Sequence, residues 1–306
     1  MSDLLVREAT EQPQHHSSNG RTGLNDTSDG HQHREILPAW VQRCSELAFE
    51  WKQALAQHVA THLLGYGMAI QVGSGTTFNY LMDEIIAIQR HKREPLDLII
   101  LTTNLQVMEK GRDARHADPD IFHDSQIILT GGSLQLSLHS LAGQYAAEGV
   151  RTKIIFPRIV FLGAAGLAFD DSEITLTYQF QDELSTQVSY ATRPAVQRVI
   201  LCDHTKVGTR AAWKAEISAE AMLSDAEECL IISTWPDDDE PGRRRIKEQA
   251  RRFDEVLDKL VKVEGLENKE FALRLVNRKG EVQEELSLSR KRAEQKKPSP
   301  LGKRGS

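Results

Sequence analysis

The sharpest chemical feature of this sequence is the run Gly73-Ser74-Gly75-Thr76-Thr77, which lies between a short apolar stretch and a helical pattern. Glycines let the backbone approach a ligand closely, and the free N–H groups at the start of a helix attract anions. The three hydroxyl groups add hydrogen-bond donors. The run therefore predicts a site for a phosphate monoester, although a tight strand-to-helix turn capped by Ser or Thr would have the same residues. It matches neither a Walker loop nor a GxGxxG fingerprint.

A second feature is Asp203-His204-Thr205-Lys206, which follows the apolar run 198–202. The Lys206 ammonium offers a point charge for a phosphate, and the Asp203 carboxylate accepts hydrogen bonds from sugar hydroxyls. The alternative is a capping Asp with a solvated Lys. We expect His204 to pack or cap rather than to act as a general base.

Other polar or glycine positions follow predicted strands, notably Asn104 and Gly132. Each of these residues is common in ordinary turns, so each supports a binding site only because it is expected at the same edge of the sheet as the others. An enzyme would also need a positioned general base, and Glu183 and Asp203 are the only candidates at this edge. No GxSxG or HExxH motif is present, so the catalytic residues stay unknown, and no cofactor and no metal site in the folded part are predicted.

The elements that must position these residues alternate between apolar runs of about five residues and helical patterns, which is typical of a parallel sheet covered on both faces. In such sheets the carboxyl ends of the strands form the ligand crevice, so the polar residues should converge there. The predicted strands cover about 68–72, 98–101, 126–130, 159–162, 198–202 and 229–233, and the predicted helices include 78–89, 138–148 and 182–191.

Composition limits the class of protein. The 306 residues are 40% hydrophobic and 27% charged, with a mean hydropathy of -0.43. No apolar run approaches the length of a membrane span, and the polar first 34 residues contain no signal-peptide core. Cys44, Cys202 and Cys229 form no CxxC pair, which argues against disulfides and zinc ribbons. We expect a cytoplasmic protein.

Charge is divided unevenly. Residues 236–306 carry 19 of the 38 Lys and Arg but 15 of the 44 Asp and Glu, a net charge of +4, so residues 1–235 carry -10. An acidic body is a poor non-specific nucleic-acid binder, and we expect no direct DNA contact. The predicted divisions are a disordered arm at 1–36, the α/β domain at 37–235, a helix and hairpin appendage at 236–288 and a disordered basic tail at 289–306.

The ordered motifs, taken together, resemble the C-terminal sensor domain of DeoR-family transcriptional regulators. The resemblance runs from about Phe49 to Ser233 and rests on this set of motifs: the lead-in helix Trp51-Lys-Gln-Ala-Leu-Ala-Gln-His-Val59, Gly73-Ser-Gly-Thr-Thr77, Leu101-Thr-Thr-Asn104, Leu129-Thr-Gly-Gly132, Phe161-Leu-Gly-Ala-Ala-Gly166, Thr175-Leu-Thr177 and Val199-Ile-Leu-Cys-Asp-His-Thr-Lys-Val-Gly208. It implies a Rossmann-like three-layer α/β sandwich that binds a phosphorylated sugar or related metabolite. By position, the residues implied in the site are Gly73, Ser74, Gly75, Thr76, Thr77, Asn104, Gly132, Asp203 and Lys206.

The sequence departs from the family pattern at two places. Residues 1–36 are too polar to form the packed helices of the usual DNA-binding module, so we expect that module to be absent. The family's Gly-Ala-Asp-Gly is Gly163-Ala164-Ala165-Gly166 here, and losing that carboxylate counts against isomerase activity.

The leading hypothesis is a regulatory metabolite-binding module that acts through a partner or by self-association. An isomerase-like enzyme of the same superfamily is the alternative, and nucleic-acid binding through residues 243–304 ranks third. Self-association is consistent with the helical pattern over 37–64, which exposes Trp40, Phe49 and Trp51 unless the same subunit covers them.

Overall fold

The structure is a computed structural model that describes residues 48–92, 96–152, 155–170, 173–237 and 242–295. The predicted arm at 1–36 and Trp40 lie outside the described residues. None of the described helices is long and apolar enough to cross a membrane.

The described residues form strands and helices in alternation. The strands are β1 (Ala69–Val72), β2 (Ile99–Thr102), β3 (Gln126–Leu129), β4 (Ser133–Gln135), β5 (Ser140–Ala142), β6 (Ile159–Gly163), β7 (Gly166–Asp170), β8 (Glu173–Tyr178), β9 (Gln197–Cys202), β10 (Trp213–Ser218), β11 (Glu228–Thr234), β12 (Glu270–Val276) and β13 (Val282–Ser287). The helices are α1 (Phe49–His62), α2 (Thr77–Lys92), α3 (Leu105–Ala117), α4 (Gln144–Thr152), α5 (Gln181–Ala191), α6 (Ala219–Ser224), α7 (Arg243–Leu260) and α8 (Leu288–Gln295).

The central sheet has eight strands in the order β13-β12-β11-β9-β6-β1-β2-β3. All neighbours pair in parallel except β12 and β13. From β1 the chain builds outward first through β2 and β3, then returns to place β6 on the other side of β1. This reversal between β1 and β6 is the point at which doubly wound sheets bind ligands, at the carboxyl ends of the strands.

Both faces of the sheet are buried, which explains the continuous apolar runs of the sequence. In β11, Leu230 and Ile232 belong to one core, together with residues of α1 and α2, whereas Cys229 and Ile231 belong to the other, with residues of α5 and α7. The predicted three-layer, mostly parallel α/β architecture is therefore confirmed.

Two parts of this architecture differ from the sequence expectation. Strands β7, β8 and β10 form a separate antiparallel sheet that the sequence analysis did not predict. The helix predicted over 138–148 begins only at Gln144, because β4 and β5 pair as a hairpin before it. Gly143, with a φ of 87°, makes the turn from β5 into α4.

The predicted C-terminal helix and hairpin form as α7, β12 and β13, and they are part of the main sheet rather than separate from it. Strand β12 pairs with β11 along seven residues. The chain expected to be disordered from 289 instead continues as α8 up to Gln295. Leu288 is fully buried, and Lys291 forms ion pairs with Asp254 and Asp258 of α7, so packing fixes a segment whose composition alone suggested disorder.

Many basic residues of α7 and α8 already have acidic neighbours. Arg251 pairs with Glu248 and Glu255, and Arg290 pairs with Glu294. These exposed ion pairs leave less positive charge for a phosphate backbone than the sequence count suggests.

Candidate functional site

Loop 73–77 lies at the end of β1, beside the switch point of the sheet. The Gly73 N–H donates to the carbonyl of Phe161 in β6 at 3.1 Å, which ties the loop to the neighbouring strand. Gly75 has a φ of 126°, a conformation that a side chain would strain. Thr76 is exposed and Thr77 is buried at the start of α2. The loop therefore presents the first turn of α2 to the crevice.

Ser74 is anchored by α5 and is 5% exposed. Its hydroxyl donates to Oε1 of Glu183 at 3.0 Å and accepts from Nε2 of Gln187 at 2.8 Å. A Cβ on Gly73 would lie 3.0 Å from the Gln187 side chain, so a larger residue here would force Gln187 to shift. Ser74 therefore fixes the loop against α5, and Thr76 is the hydroxyl of the loop that faces solvent.

Glu183 accepts the hydrogen bond from Ser74 and is affected by the charge of Lys206. Burial raises the pKa of its carboxyl above the ordinary value, and the Ser74 hydrogen bond, the charge of Lys206 and a backbone hydrogen bond oppose this rise only in part. A carboxyl with a raised pKa is a usual property of a functional site. The sequence named Glu183 only as a candidate base; its contact with Ser74, 109 residues away, is a tertiary feature.

Asp203 is a fully buried carboxylate at the end of β9. Its Oδ1 accepts from the Thr205 N–H at 3.1 Å and from the Thr205 hydroxyl, and its Oδ2 lies 3.7 Å from Nζ of Lys206. Burial acts to raise the pKa of Asp203, but the charges of Lys206 and Lys52 and the Thr205 hydrogen bond outweigh it, so the pKa lies below the ordinary value. Asp203 therefore stays ionised inside the protein.

Lys206 links the two carboxyl groups. Its positive charge lowers the pKa of both Glu183 and Asp203, and its side chain is 18% exposed. Its backbone N–H closes a turn on the Asp203 carbonyl at 3.0 Å. The structure thus brings together Ser74, Glu183, Asp203 and Lys206, which we call the polar cluster. Within it, the Lys206 side chain is partly exposed, whereas Asp203 is buried.

Asn104 supports the loop, whereas Gly132 lies against a neighbouring helix. Asn104 caps α3, with its side chain accepting from the Gln106 N–H at 3.0 Å and donating to the Gly75 carbonyl at 3.3 Å. It therefore supports loop 73–77 with atoms that are already hydrogen-bonded. Gly132 lies against α4, where a Cβ would come within 2.6 Å of Ala146. Its described contacts do not join it to the cluster.

His204 packs, as expected from the sequence. Its N–H donates to Oγ1 of Thr234 at 2.8 Å, and its Nδ1 lies 2.8 Å from the same oxygen. Its ring meets the edge of Trp51 with the centroids 5.1 Å apart. No group of three metal-binding side chains occurs among the residues that the structure describes.

Sequence reasoning missed two side chains of this site, Gln187 and Lys52. Lys52 is completely buried in α1, and its charge acts on Asp203. The signal was present, because Ala48, Lys52, Leu55 and Val59 follow one another at helical spacing on the buried face. A lysine within an apolar stripe was the clue.

The sequence of this chain matches the model of one protein family. The sequence model of the DeoR C terminal sensor domain covers residues 48–222, which is more than half of the chain. The chain belongs to this family. The matched region of this DeoR-type chain begins just before α1 and ends in α6, so it contains the whole polar cluster. No curated protein matches the chain.

Solved structures resemble the DeoR-type chain only distantly. Ribose 5-phosphate isomerase from Plasmodium falciparum is 14% identical with a TM-score of 0.35, over 52% of each chain. The eIF2B delta of Chaetomium thermophilum is 12% identical with a TM-score of 0.35, over 61% of this chain and 59% of its own. The chain spans between half and three fifths of the length of these structures, and at such TM-scores the likeness carries no argument about function.

Proposed function

We propose that this protein binds a phosphorylated sugar or related phosphorylated metabolite at the carboxyl edge of its sheet, and that it serves as a regulatory module connected with transcription. Membership of the DeoR sensor family supports a regulatory binding role. The observation that carries the proposal is the position of Lys206, a partly exposed ammonium beside Asp203 whose charge also reaches Glu183, the residue that is hydrogen-bonded to the loop before α2. A helix N-terminus and a lysine together suit a phosphate.

The two carboxyl groups are compatible with an anionic ligand. Burial raises the pKa of Glu183, which makes its neutral form more accessible than in an exposed glutamate, and a neutral carboxyl can donate to a hydroxyl without repelling phosphate. Asp203 is ionised, but Lys206 and Lys52 offset its charge. Glu183 would then recognise a hydroxyl, Asp203 would hold Lys206 from inside the protein, and Lys206 and the first turn of α2 would hold the phosphate.

Action through a partner or a second copy of the chain is part of the proposal. Trp51 is buried in its own subunit, between His204 and Arg278, so it offers no surface. Phe49 is half exposed. A further apolar surface consists of Leu134, Leu136 and Tyr145, around the β4–β5 hairpin beside the site. Exposed apolar groups of this size favour an interface.

The test is a thermal-shift titration with phosphorylated sugars and polyols, nucleotides, CoA esters and inorganic phosphate. At about 100 times its Kd, a ligand adds about 2.7 kcal/mol of stability, which corresponds to a rise of several degrees in Tm. Thr76→Glu and Lys206→Met should abolish the rise. Lys214→Met, which removes an exposed lysine paired with Glu216 on β10, should retain it. Absence of any shift with every phosphate compound would contradict the proposal.

An isomerase-like enzyme is the second candidate, and the raised pKa of Glu183 favours it. A carboxyl poised closer to neutrality is suited to proton transfer. Ala165, at the turn between β6 and β7, has no carboxylate to assist. If the enzyme hypothesis holds, the wild type should exchange the carbon-bound proton of a ketose phosphate with D2O, and Glu183→Gln should stop exchange while retaining binding. Binding without proton exchange in the wild type would contradict the enzyme hypothesis and leave the sensor hypothesis as the remaining candidate.

A further inference from the structure

Both ends of the Asn104 carboxamide are hydrogen-bonded at the base of loop 73–77. Its Oδ1 accepts from the Gln106 N–H at 3.0 Å, which caps α3 and fixes the orientation of the carboxamide. Its Nδ2 can then donate two hydrogen bonds, to the carbonyl of Gly75 at 3.3 Å and to Oδ1 of Asn79 in α2 at 3.3 Å. Asn104 is 2% exposed. The carbonyl of Gly75 is therefore held from inside the protein.

Asn79 keeps Asn104 in this orientation. Because the Oδ1 of Asn79 accepts from Asn104, its Nδ2 is free to donate, and it does so to Oε1 of Gln106. Nε2 of Gln106 then lies 3.0 Å from Nδ1 of His139, in the turn between β4 and β5. The His139 carbonyl also accepts from the Leu105 N–H at 3.0 Å. The first turns of α2 and α3 are thus joined by three carboxamides whose orientations depend on one another.

The hydrogen bond to the Gly75 carbonyl fixes the direction of the next N–H group in the chain. The Gly75 carbonyl and the Thr76 N–H belong to one peptide group, and in a trans peptide these two groups point in opposite directions. Since the carbonyl points toward the buried Asn104, the N–H points toward the exposed side of the loop, where Thr76 itself lies. Among the described residues, no carbonyl group accepts a hydrogen bond from this N–H. It can therefore donate to an anion at the start of α2.

Gly75 does little to resist a flip of this peptide group. Its φ of 126° lies in a region that glycine adopts readily, and it has no side chain to hold one orientation. A flip would turn the carbonyl oxygen toward the crevice, where it would repel an anion. The Phe78 N–H also donates to this carbonyl, at 3.2 Å, but it comes from the helix that the loop begins. Asn104 ties the peptide group to a different helix.

We propose that Asn104 and Asn79 are positioning residues that hold the Gly75–Thr76 peptide group with its N–H toward a bound phosphate. This inference rests on the proposed function and deepens it, since it assigns the Thr76 N–H, rather than the Asn104 side chain, as a donor to the ligand. Asn104 acts through the carbonyl of Gly75, and Asn79 acts through Asn104.

The first experiment needs no ligand. Asn104→Ser keeps an oxygen that can cap α3 but removes the donor to Gly75, and Asn79→Leu keeps Asn104 but removes its partner. Crystal structures of both variants without ligand should show the Gly75–Thr76 peptide group mainly in the flipped orientation. If the peptide group keeps the wild-type orientation in both variants, the inference is overturned. If Asn104→Ser fails to fold, Asn79→Leu decides the question alone.

The second experiment measures the affinity for inorganic phosphate by calorimetry. Asn104→Ser and Asn79→Leu should each weaken binding by about tenfold, the factor expected when about a tenth of the molecules retain the wild-type orientation. The double variant should bind no more weakly than Asn104→Ser, because both changes act on one peptide group. Effects of the two substitutions that add up in the double variant would overturn the inference, since the two side chains would then act independently.

The matched control is Asn277→Ser, in the turn between β12 and β13. The Asn277 carboxamide is also fully engaged, because its Oδ1 accepts from the N–H groups of Lys279 and Glu281 and its Nδ2 donates to the Glu281 carboxylate. This variant should bind phosphate as the wild type does. A tenfold loss in Asn277→Ser as well would show that the losses come from general destabilisation, which would overturn the inference.

Amide NMR signals of the wild type identify the donor directly. Inorganic phosphate should move the Thr76 amide proton downfield, because the Thr76 N–H forms a hydrogen bond to a charged oxygen. If phosphate instead moves the Asn104 side-chain amide protons and leaves Thr76 unchanged, Asn104 itself contacts the ligand, and the inference is overturned while the proposed function stands. If neither phosphate nor any phosphorylated sugar binds the wild type, the proposed function fails, while the ligand-free structures still decide whether Asn104 and Asn79 fix the peptide group.

Discussion

The two edges of the central sheet differ in a way that bears on where chemistry takes place. The carboxyl edge holds the completely buried Asp203, whose pKa is affected by the charge of the completely buried Lys52. The amino edge holds a cavity of about 630 Å³, and its lining includes Tyr66, Phe156 and Val196. Those three side chains are exposed. The amino-edge cavity is also lined by charged residues, including Arg158, Glu227 and Lys269, but its Glu227 and Arg158 are exposed, whereas Asp203 at the carboxyl edge is buried.

The reason lies in the direction of the chain. At the carboxyl edge, strands end and helices begin, so helix N–H groups and polar turn residues converge there. At the amino edge, helices end and strands begin, so helix carbonyl groups rather than N–H groups face this edge. The volume of a cavity reports only the space in it. Because burying a charge is costly unless the charge is compensated, a buried and compensated charge is a better indicator of a functional group.

The largest difference that we expect between substitutions at the two edges is in the free energy of unfolding. Asp203→Ala should destabilise the protein by about 3–5 kcal/mol, because Lys206 loses the counter-charge of a buried carboxylate and Thr205 loses its hydrogen-bond acceptor. Glu227→Ala, an exposed carboxylate lining the amino-edge cavity, should change stability by no more than about 0.5 kcal/mol. Urea denaturation at pH 7 measures both. Equal effects would remove the distinction between the edges.

Two glycines, one at each edge of the sheet, allow the effects of the two edges on ligand binding to be compared. Gly75 at the carboxyl edge and Gly67 at the amino edge both have positive φ, 126° and 69°. Replacing either with Ala should cost about 1–2 kcal/mol of stability from backbone strain. Only Gly75→Ala should also weaken phosphate binding, as followed by calorimetry. A loss of affinity in Gly67→Ala would mean that the edges communicate.

Two carboxyl groups at the carboxyl edge should give pH dependences of opposite sign. Asp203 has a lowered pKa, so its contribution to stability is present above its ordinary value and is lost as the pH falls through the lowered pKa. Glu183 has a raised pKa, so stability declines as the pH rises from 4.5 toward the raised value.

Glu183→Gln should therefore gain stability relative to the wild type as the pH rises above 4.5. Urea denaturation at pH 4.5 and pH 7 gives the difference. A difference that stays constant between the two pH values would show that the pKa of Glu183 is not raised.

The smallest effect is expected from the exposed aromatic surface of the amino edge. Phe156→Ser replaces a side chain that is 75% exposed, so stability should change by at most about 0.5 kcal/mol and phosphate affinity should not change. Thermal unfolding with and without inorganic phosphate checks both. A larger change in either would show that this edge also carries structure or function.

The sequence predicted the residues of the site that follow strands. Loop 73–77 and turn 203–206 could be placed at one edge because parallel strands end together, and their polar composition is local. Gln187 and Lys52 could not be placed in the site in this way, because they come from helices. Which face of a helix meets which loop depends on packing between segments more than a hundred residues apart.

The sequence by itself determined the alternation of strands and helices, the burial of both sheet faces and the presence of a glycine-rich turn before α2, since these depend on local patterns of apolar and small residues. The tertiary structure alone decided that Ser74 is bonded to α5, that Asn104 supports the loop, that β12 extends the sheet and that α8 docks on α7. Those outcomes depend on the pairing of distant groups, whose energies arise only when the chain brings them together in a low-dielectric interior.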